Sequence, residues 1–494
     1  MYTLGFDNEK YLKMQSAFIT ERINQFGKKL YLEFGGKLFD DYHAARILPG
    51  FEPDGKIKLL RTMAEQTEII IAISASDIEK SKVRSDIGIT YDMDVLRLID
   101  AFRQMDLYVG SVVICQYAGQ KLADDFKQYL EQLGIKVYLH YPIAGYPANV
   151  DLIISDEGYG RNDYIETTKP LVVVTAPGPG SGKMSVCLSQ LYHDFKRNIQ
   201  SGYAKYETFP IWNIPLTHPI NIAYEAATVD LDDAVVIDPY HLEAYGETTI
   251  NYNRDVEIFP VLKTIFKKIL GDSPYQSPTD MGVNMAGHGI VDDEVCRAAA
   301  KQEIIRRYYH TKCDVKLGKA KQSAIEKMEL LMNNVGLTTT DRPVIEIALS
   351  RAKETGAPSF AIQLQDGTMI TGKTHDLIGA TSSCLLNALK SLAGIPDDVY
   401  VLSPAIIEPI QKLKTKFLGN KNPRLHTDEV LIALSMSELT NPLAALMLEQ
   451  LPKLKNCEAH SSVILSQVDI DVLKQLGLNV TCEAKYQSNK LYHK

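Results

Sequence analysis

The chain has 494 residues and a formal net charge of −8, with 45% apolar and 23% charged residues. This length is enough for two to four domains, and the composition is that of a folded globular protein, which excludes a largely disordered chain. The acidic balance, without a long basic run, argues against broad binding to nucleic acid or to anionic membranes. We therefore expect neither a nucleic-acid partner nor a membrane partner.

The cysteines and the start of the chain predict a cytoplasmic protein. The seven cysteines are scattered and odd in number, and several stand in apolar runs, which is typical of reduced, buried thiols. The start MYTLGFDNEKY has no basic-then-apolar signal, and no apolar run approaches the ~20 residues of a membrane span. A homo-oligomer is compatible with this composition but is not specified by it.

Apolar runs alternate with helical patterns through the first part of the chain. The pattern predicts helices at residues 8–26, 95–102 and 120–133, and strands at residues 29–34, 68–74, 110–117, 136–141, 150–154 and 171–174. Such alternation predicts an α/β fold with a mostly parallel sheet, covered by helices on both faces.

Two features behind the first predicted strand have both a functional and a plain interpretation. The lysine of Gly35-Gly36-Lys37 could contact an anion, and a tight turn with a solvated lysine explains it equally well. His43 follows Asp41 in a polar stretch and is a candidate general base, with a solvated loop as the alternative.

The stretch Lys169 to Leu191, KPLVVVTAPGPGSGKMSVCLSQL, predicts a strand, a glycine-rich turn, a lysine and a helix. This order is typical of a phosphate-binding loop, in which backbone N–H groups and the positive helix end hold phosphates and the lysine reaches the outer ones. An ordinary Gly/Pro turn is the alternative interpretation. The candidate ligand-binding residues are Gly178, Gly180, Ser181, Gly182, Lys183 and Ser185.

Within this stretch, PGPGSGKMS resembles the loop of nucleoside monophosphate kinases, a glycine-rich turn followed by Gly-Lys, one residue and then Ser or Thr. Pro177 stands where the GxxxxGK spacing has its first glycine, and Met184 stands where most such loops carry a hydroxyl for the metal. Ser185 is the substitute for that hydroxyl. The resemblance implies ATP or another nucleotide with Mg²⁺ as the cofactor, and Lys183 as the group that neutralises the transferred phosphoryl.

Two aspartates are alternative magnesium ligands. Asp156 follows the predicted strand 150–154, and Asp238 ends the predicted strand 234–237. A carboxylate behind an apolar strand often positions the magnesium of a bound nucleotide. One departure weakens the comparison with standard kinases, because about five predicted strands precede the loop, which usually follows the first strand.

His288 is the candidate for proton transfer in the middle of the chain. It stands between two glycines in MAGHGIVDD, just before a predicted helix at residues 294–309. An imidazole on such a permissive backbone at a helix N-terminus can transfer a proton or meet an anion. A histidine that fills a tight turn is the alternative interpretation.

The polar stretch LTTTDRP at residues 337–343 predicts a domain boundary. We therefore predict a phosphate-loop-like α/β domain at residues 1–200, a middle region of insertions and helices at 201–336, and a separate C-terminal α/β domain at 337–494.

The C-terminal pattern predicts a hairpin at residues 360–372 and further strands at 399–402, 463–465 and 478–482. It resembles the scaffold of zinc-dependent nucleobase deaminases, but the H-x-E and P-C-x-x-C ligand motifs are absent. The spacing of Cys457 and His460, with His426 upstream, is a weak metal signal.

Six stretches together resemble a bacterial family known as uncharacterised protein family 0371. They are LEFGGKLFDDYHAARILPGF, DIGITYDMDVLRLIDAFR, TAPGPGSGKMSVCLSQLYHD, DPYHLEAYGETTINYNRD, GIVDDEVCRAAAKQEIIRRYY and LSQVDIDVLKQLGLNVTCE. The resemblance implies a phosphate-loop-like α/β part with helical insertions and a separate C-terminal α/β part. It implies no particular activity.

The residues themselves favour an enzyme that binds a nucleotide or another phosphorylated metabolite and transfers or hydrolyses a phosphoryl group. Lys183, His288, His43 and Asp156 are the candidate catalytic residues. Two alternatives stay open. One is a non-catalytic nucleotide sensor, and the other is a glycosyl- or formyl-transfer enzyme that uses a phosphorylated substrate.

Overall fold

The computed structural model describes residues 4–35, 38–39, 41–84, 87–229 and 233–487. The chain forms two compact units. The first contains Met1–Glu225 and Asp232–Ala300, and the second contains Ala226–Leu231 and Lys301–Lys494. Gly36 and Lys37, which we considered as an anion contact, lie outside the described residues.

The first unit is built on a seven-stranded sheet in which every pairing is parallel. The strands lie in the order β4-β3-β2-β5-β1-β6-β9, and a separate antiparallel pair joins β7 to β8. The strands are β1 (Leu30–Phe34), β2 (Thr67–Ser74), β3 (Tyr108–Cys115), β4 (Lys136–Leu139), β5 (Leu171–Thr175), β6 (Gly202–Tyr206), β7 (Val235–Ile237), β8 (Ile250–Tyr252) and β9 (Gly282–Val283). The predicted α/β fold with a parallel sheet is confirmed.

The helices up to the end of the first unit follow in chain order. They are α1 (Asn8–Gln25), α2 (Tyr42–Ile47), α3 (Gly55–Thr62), α4 (Ala75–Glu79), α5 (Tyr91–Gln104), α6 (Lys121–Gln132), α7 (Val150–Ile153), α8 (Lys183–Lys196), α9 (Pro219–Ala227), α10 (Pro239–Tyr245), α11 (Asn253–Leu270), α12 (Pro278–Met281) and α13 (Asp293–Lys316).

Helices cover both faces of this sheet, because its central strands are apolar on both sides. Leu32 and Val173 point to the face packed by α1, α3, α5 and α6. Tyr31 and Val172, one residue away along the same strands, point to the face packed by α8 and α11. A strand that is buried on both faces has a continuous run of apolar, mostly β-branched residues, such as IIIAI in β2 and LVVV in β5.

The chain changes direction at β5, and this change places the candidate site. After β1 the chain passes through α2 to α3 on the first face, whereas β5 is followed by α8 on the opposite face. The two strands are adjacent, so their outgoing segments separate at the carboxyl edge of the sheet. Ligands of open α/β sheets bind in the crevice that opens at such a switch point. The turn at residues 176–182 borders this crevice.

One local prediction in the first unit is wrong, the strand at residues 150–154. Residues 150–153 form the short helix α7, because the Asn149 side chain accepts a hydrogen bond from the Leu152 amide (3.2 Å) and caps its first turn. The predicted strand 234–237 is confirmed as β7, which pairs with β8 outside the main sheet. Residues 202–206, in the predicted middle region of insertions and helices, form β6 of the main sheet. The charged Lys205 interrupts the apolar pattern of that strand.

The second unit has its own four-stranded sheet, in the order β11-β10-β12-β13. Strand β10 is antiparallel to both β11 and β12, and β12 is parallel to β13. Its elements are β10 (Ser359–Gln363), β11 (Met369–Lys373), β12 (Glu458–Ser461), β13 (Asn479–Cys482), α14 (Gln322–Asn334), α15 (Val344–Thr355), α16 (Ala380–Ala393), α17 (Pro404–Lys412), α18 (Thr427–Ser437), α19 (Pro442–Leu448) and α20 (Gln467–Gln475). The predicted separate C-terminal α/β part is confirmed.

Two predicted strands of the second unit are wrong. Residues 399–402 and 463–465 are not strands, although Val401, Leu402 and Leu465 are buried in the core. These residues belong to irregular segments that pack into the core. The periodicity of apolar residues alone does not distinguish such a short segment from a strand. Among the described residues, no helix combines the length and the apolar composition that a bilayer span requires.

Candidate functional site at the carboxyl edge of the parallel sheet

The turn after β5 presents free backbone amides at the start of α8. Gly182 is the N-cap with a left-handed φ of 94°, and α8 begins at Lys183. The first helical hydrogen bond runs from the Val186 amide to the Gly182 carbonyl (2.9 Å). The amides from Gly182 to Ser185 therefore have no acceptor among the described residues. This end of α8 carries the partial positive charge that favours an anion.

Close packing explains two of the glycines. A Cβ on Gly178 would lie 2.3 Å from the Tyr91 hydroxyl, and a Cβ on Gly182 would lie 2.8 Å from the Cys115 sulfur. Gly180 differs, because a Cβ there would meet nothing within 4 Å, so this residue faces open space. The Ser181 hydroxyl donates to the Gly178 carbonyl (2.9 Å) and closes the turn.

Lys183 is half-buried in the first turn of α8, and no described carboxylate forms an ion pair with it. Its ammonium and the Glu33 carboxylate both act on Cys187, one helical turn further along α8. Burial raises the pKa of the Cys187 thiol well above its ordinary value, the charge of Glu33 raises it further, and the charge of Lys183 lowers it. Lys183 and Glu33 thus border the same part of the structure.

A buried group of charges lies at the ends of β1 and β6, on the face of the sheet that α8 and α11 cover. We call Glu33, Lys205, Glu207 and Asp255 the acid–lysine cluster. Glu33 and Lys205 are partners across the β1–β6 pairing and point to the same face. The Lys205 ammonium contacts Glu207 Oε1 (2.8 Å) and pairs with Asp255 from the first turn of α11. The Tyr203 hydroxyl donates to Glu33 Oε2 (2.7 Å).

The charges of the acid–lysine cluster and its burial change the pKa values of Lys205 and Glu207. Burial lowers the pKa of Lys205, but the charges of Asp255, Glu207 and Glu33 outweigh burial and raise it above its ordinary value. Burial raises the pKa of Glu207 to about 7, since Lys205 offsets burial only in part and Asp255 repels the charged form. A carboxylate that titrates near neutral pH suits proton transfer.

An aromatic wall formed by Phe209, Tyr224 and Tyr252 borders the cluster. The Phe209 and Tyr224 rings stack with centroids 4.9 Å apart, and the Tyr252 ring lies 5.7 Å from that of Tyr224. Lys205 lies over the Tyr252 ring at 5.7 Å. The predicted base His43 packs against this wall, 5.9 Å from the Tyr224 ring. His43 is thus separated from the acid–lysine cluster by aromatic rings.

The predicted magnesium ligands do not meet at the turn. Asp156 accepts a hydrogen bond from Tyr192 (2.7 Å) and lies 3.5 Å from the Lys196 ammonium, along the second half of α8. Ser185 lies in the first turn of that helix. Asp238 is buried as the N-cap of α10, and its two oxygens accept four hydrogen bonds, from the amides of Tyr240, His241 and Thr279 and from the Thr279 hydroxyl.

His288 is also outside the site. It is exposed in the short helix Ala286–Gly289, which follows β9 and packs against α1. In the sheet, β9 is the third strand from β5, which corresponds to about 14 Å at the usual strand spacing. Among the described residues, no group of three or more His, Cys, Asp or Glu side chains has the arrangement of a metal site. His460 instead lies 2.8 Å from the Thr481 hydroxyl, and His426 pairs with Asp469.

Sequence reasoning missed all four residues of the acid–lysine cluster, although a signal for two of them was present. Glu33 stands inside KLYLEF and Lys205 inside GYAKYE, each as a charge within a strand-like run. A charge at such a position is buried only if it is paired. The sequence does not show that Glu33 and Lys205 lie opposite each other on neighbouring strands. It also does not show that Glu207 and Asp255 are the ion-pair partners of Lys205.

Comparisons with known proteins cover both units. Residues 4–336 match the family model described as "Domain of unknown function DUF1846, N-terminal", and residues 340–492 match the corresponding C-terminal model. A UPF0371 protein of Streptococcus pneumoniae strain JJA is 57% identical over 490 residues, which are 99% of each chain. A UPF0371 protein of S. pneumoniae strain D39 is 58% identical over 490 residues, again 99% of each.

Proposed function

The chain belongs to the DUF1846 family, whose description states no reaction, and we therefore propose a function from the site: it binds a nucleotide or another phosphorylated metabolite at residues 178–185 and transfers or hydrolyses a phosphoryl group. The observation that carries this proposal is the open N-terminus of α8 at the switch point of the sheet, with Lys183 in its first turn and no described carboxylate paired with that lysine. Such an end binds phosphate through amides and a cation together.

The acid–lysine cluster supplies the second half of the proposal. The amides from Gly182 to Ser185 would hold phosphate oxygens, and the Lys183 ammonium would neutralise charge that develops on the transferred group. Glu207, with its pKa near neutral, would accept the proton of the attacking hydroxyl or water. Lys205 holds Glu207 and Asp255 in position through its ion pairs. If ATP with Mg²⁺ is the ligand, Ser185 is the hydroxyl that the turn offers to the ion.

One observation favours a second candidate, a transferase in which the phosphate belongs to the leaving group. Met184 occupies the usual position of the metal-binding hydroxyl, and Asp156 and Asp238 are held elsewhere by their own partners. A reaction that breaks no bond within the phosphate group requires only that the charge of the phosphate be neutralised. The α8 amides and Lys183 can do this. Turnover of the bound ligand separates both enzymes from a non-catalytic sensor.

Replacing Lys183 by alanine is expected to lower the affinity for the phosphorylated ligand at least tenfold, because the ammonium in the first turn of α8 is lost. A ligand at 100 times its Kd stabilises the wild-type fold by about 2.7 kcal/mol, and a tenfold weaker ligand at that concentration stabilises it by roughly half as much. A thermal-shift screen of nucleotides and sugar phosphates measures this difference.

Lys196→Ala is the matched control, because Lys196 lies at the other end of the same helix with a half-exposed ammonium. It should leave the ligand-induced shift in Tm unchanged. Equal shifts for Lys183→Ala and wild type would remove the basis of the proposed site.

A further inference from the structure

The second unit encloses a small polar cavity of about 70 Å³. Most of its lining comes from three stretches of the chain, within residues 379–382, 422–426 and 461–469, and Pro358, Thr374 and Gln487 complete it. The residues that cap α16, α18 and α20, namely Gly379, His426 and Ser466, are all among the lining residues. Three helix N-termini therefore border one cavity.

The first turn of α16 offers backbone donors to this cavity. Its N-cap is Gly379, which has no side chain to accept a hydrogen bond. The Ala380 amide donates to the Thr374 hydroxyl (3.2 Å), and the first helical bond runs from the Ser383 amide to the Gly379 carbonyl (2.9 Å). The amides of Thr381 and Ser382 are left without an acceptor in the part of the chain that the structure describes.

Thr381 is the observation that points to a ligand. Its side chain lines the cavity and the residue is only 4% exposed, yet its hydroxyl has no hydrogen-bond partner in the described ranges. The neighbouring hydroxyls are engaged, since Ser382 donates to the Leu425 carbonyl (3.2 Å) and Ser466 donates to Asp469 (2.7 Å). The Thr381 hydroxyl is therefore available to bond to a group that enters the cavity, such as water or a ligand.

The charged groups around the cavity also present donors. The Arg424 Nε donates to the His375 carbonyl (2.8 Å), and no carboxylate in the described part of the chain pairs with this guanidinium. His426 Nδ1 lies 3.1 Å from Asp469 Oδ2. Asp469 also accepts hydrogen bonds from the amide and hydroxyl of Thr427 and from Ser466. The Asp469 carboxylate is a negative charge in this lining, and the neighbouring His426, whose pKa is raised by its hydrogen bond to Asp469, offsets that charge when it is protonated.

We propose that this cavity binds a phosphate group, held by the Thr381 hydroxyl, the amides of Thr381 and Ser382, and the Arg424 guanidinium. Its volume sets the size of the bound group. Pockets for whole drug-sized ligands measure roughly 300–1,000 Å³, whereas about 70 Å³ accommodates one oxyanion. Donors from separate segments surround the space, as a tetrahedral oxyanion requires. This site lies within the second unit and does not depend on the function proposed for the first.

Calorimetric titration of the full-length protein with inorganic phosphate, at constant ionic strength, tests the proposal. Thr381→Val keeps the shape of the side chain and removes its hydroxyl, and Arg424→Gln removes the charge. Each is expected to raise the Kd for phosphate about tenfold, the value of one good hydrogen bond to an ion. Thr371→Val in β11 and Arg351→Gln, which loses only a surface contact to Glu354, are the matched controls and should leave the Kd unchanged.

The same titration in Lys183→Ala separates this site from the one in the first unit, because binding here should persist in that variant. Phosphate should also slow amide hydrogen exchange at residues 380–383 in the wild type but not in Thr381→Val. A phosphate monoester, such as glycerol phosphate, replaces inorganic phosphate in a second arm and shows whether the group arrives free or as part of a metabolite. Wild-type affinity for both probes in Thr381→Val and Arg424→Gln would overturn the proposal.

Discussion

Replacing Glu458 by alanine is expected to destabilise the second unit by about 3–5 kcal/mol, the usual result of breaking a buried ion pair from one side. Glu458 lies on β12 and receives hydrogen bonds from Arg306 (2.8 Å) and from Arg342. Arg342 is 1% exposed and also donates to the carbonyls of Ala459 (3.0 Å) and Asn479 (2.8 Å). Without Glu458, no described carboxylate forms an ion pair with Arg342, and Arg306 keeps only Glu303, which also pairs with Arg307.

The pH dependence of this effect has a definite sign. Burial raises the pKa of Glu458, but Arg306 and Arg342 outweigh burial and hold that pKa below its ordinary value. A carboxylate with a lowered pKa in the folded state stabilises the fold above its ordinary pKa, and this stabilisation is lost as the pH falls through the folded value. The difference between wild type and Glu458→Ala should therefore shrink in acid.

Denaturant unfolding followed by circular dichroism, with hydrogen exchange at the β12 amides, measures this loss. Hydrogen exchange is needed because two units need not unfold in one transition. Glu354→Ala is the matched control, since the exposed pair of Glu354 with Arg351 contributes at most about 1 kcal/mol. If Glu458→Ala were as stable as that control, the buried ion group would not hold the strand in place.

The sequence predicted those parts of the fold that depend on local patterns. The apolar runs of β2 and β5 and the periodic helices α1 and α6 lie where they were expected, because burial of a strand on both faces, or of a helix along one stripe, leaves a clear pattern of apolar residues in the sequence. Strand order leaves no such pattern. That β5 is inserted between β2 and β1 depends on contacts between residues more than 100 positions apart, such as Leu30 with Leu171.

The candidate site was predictable only in its glycine-rich turn. Glycines and a lysine between a strand and a helix are a local motif, and the structure places them at the edge where ligands bind. Lys205 and Asp255 are 50 residues apart and meet only because α11 packs across β6. Asp238 was predicted as a magnesium ligand because it follows an apolar run. An aspartate at such a position is also a good helix N-cap, and this is the role that Asp238 has in the structure.

Replacing Glu207 by glutamine is expected to lower the turnover of a bound phosphorylated substrate by about 10²–10⁴-fold, the usual contribution of a general base. Ligand binding at the turn should persist, because Lys183 and the α8 amides are unchanged. The wild-type rate should rise with pH as Glu207 loses its proton around its pKa of about 7, and the variant should lose this rise. Glu257→Gln, an exposed position on α11, is the matched control.

The same substitution has an effect on stability that needs no substrate. The folded pKa of Glu207 is raised by burial from 4.5 to about 7, so the folded state binds this proton more tightly than the unfolded state does. Stability therefore falls as the pH rises from about 4.5 to about 7. Glu207→Gln has no carboxyl group to lose a proton at this position, so its stability should not fall in this way. The free energy of unfolding of the variant, relative to that of the wild type, should therefore rise by up to about 3 kcal/mol across that pH range. Denaturant unfolding at pH 5 and pH 8 measures the difference. A constant difference between Glu207→Gln and wild type at the two pH values would show that Glu207 does not hold a proton near neutrality, and it would remove Glu207 as the base.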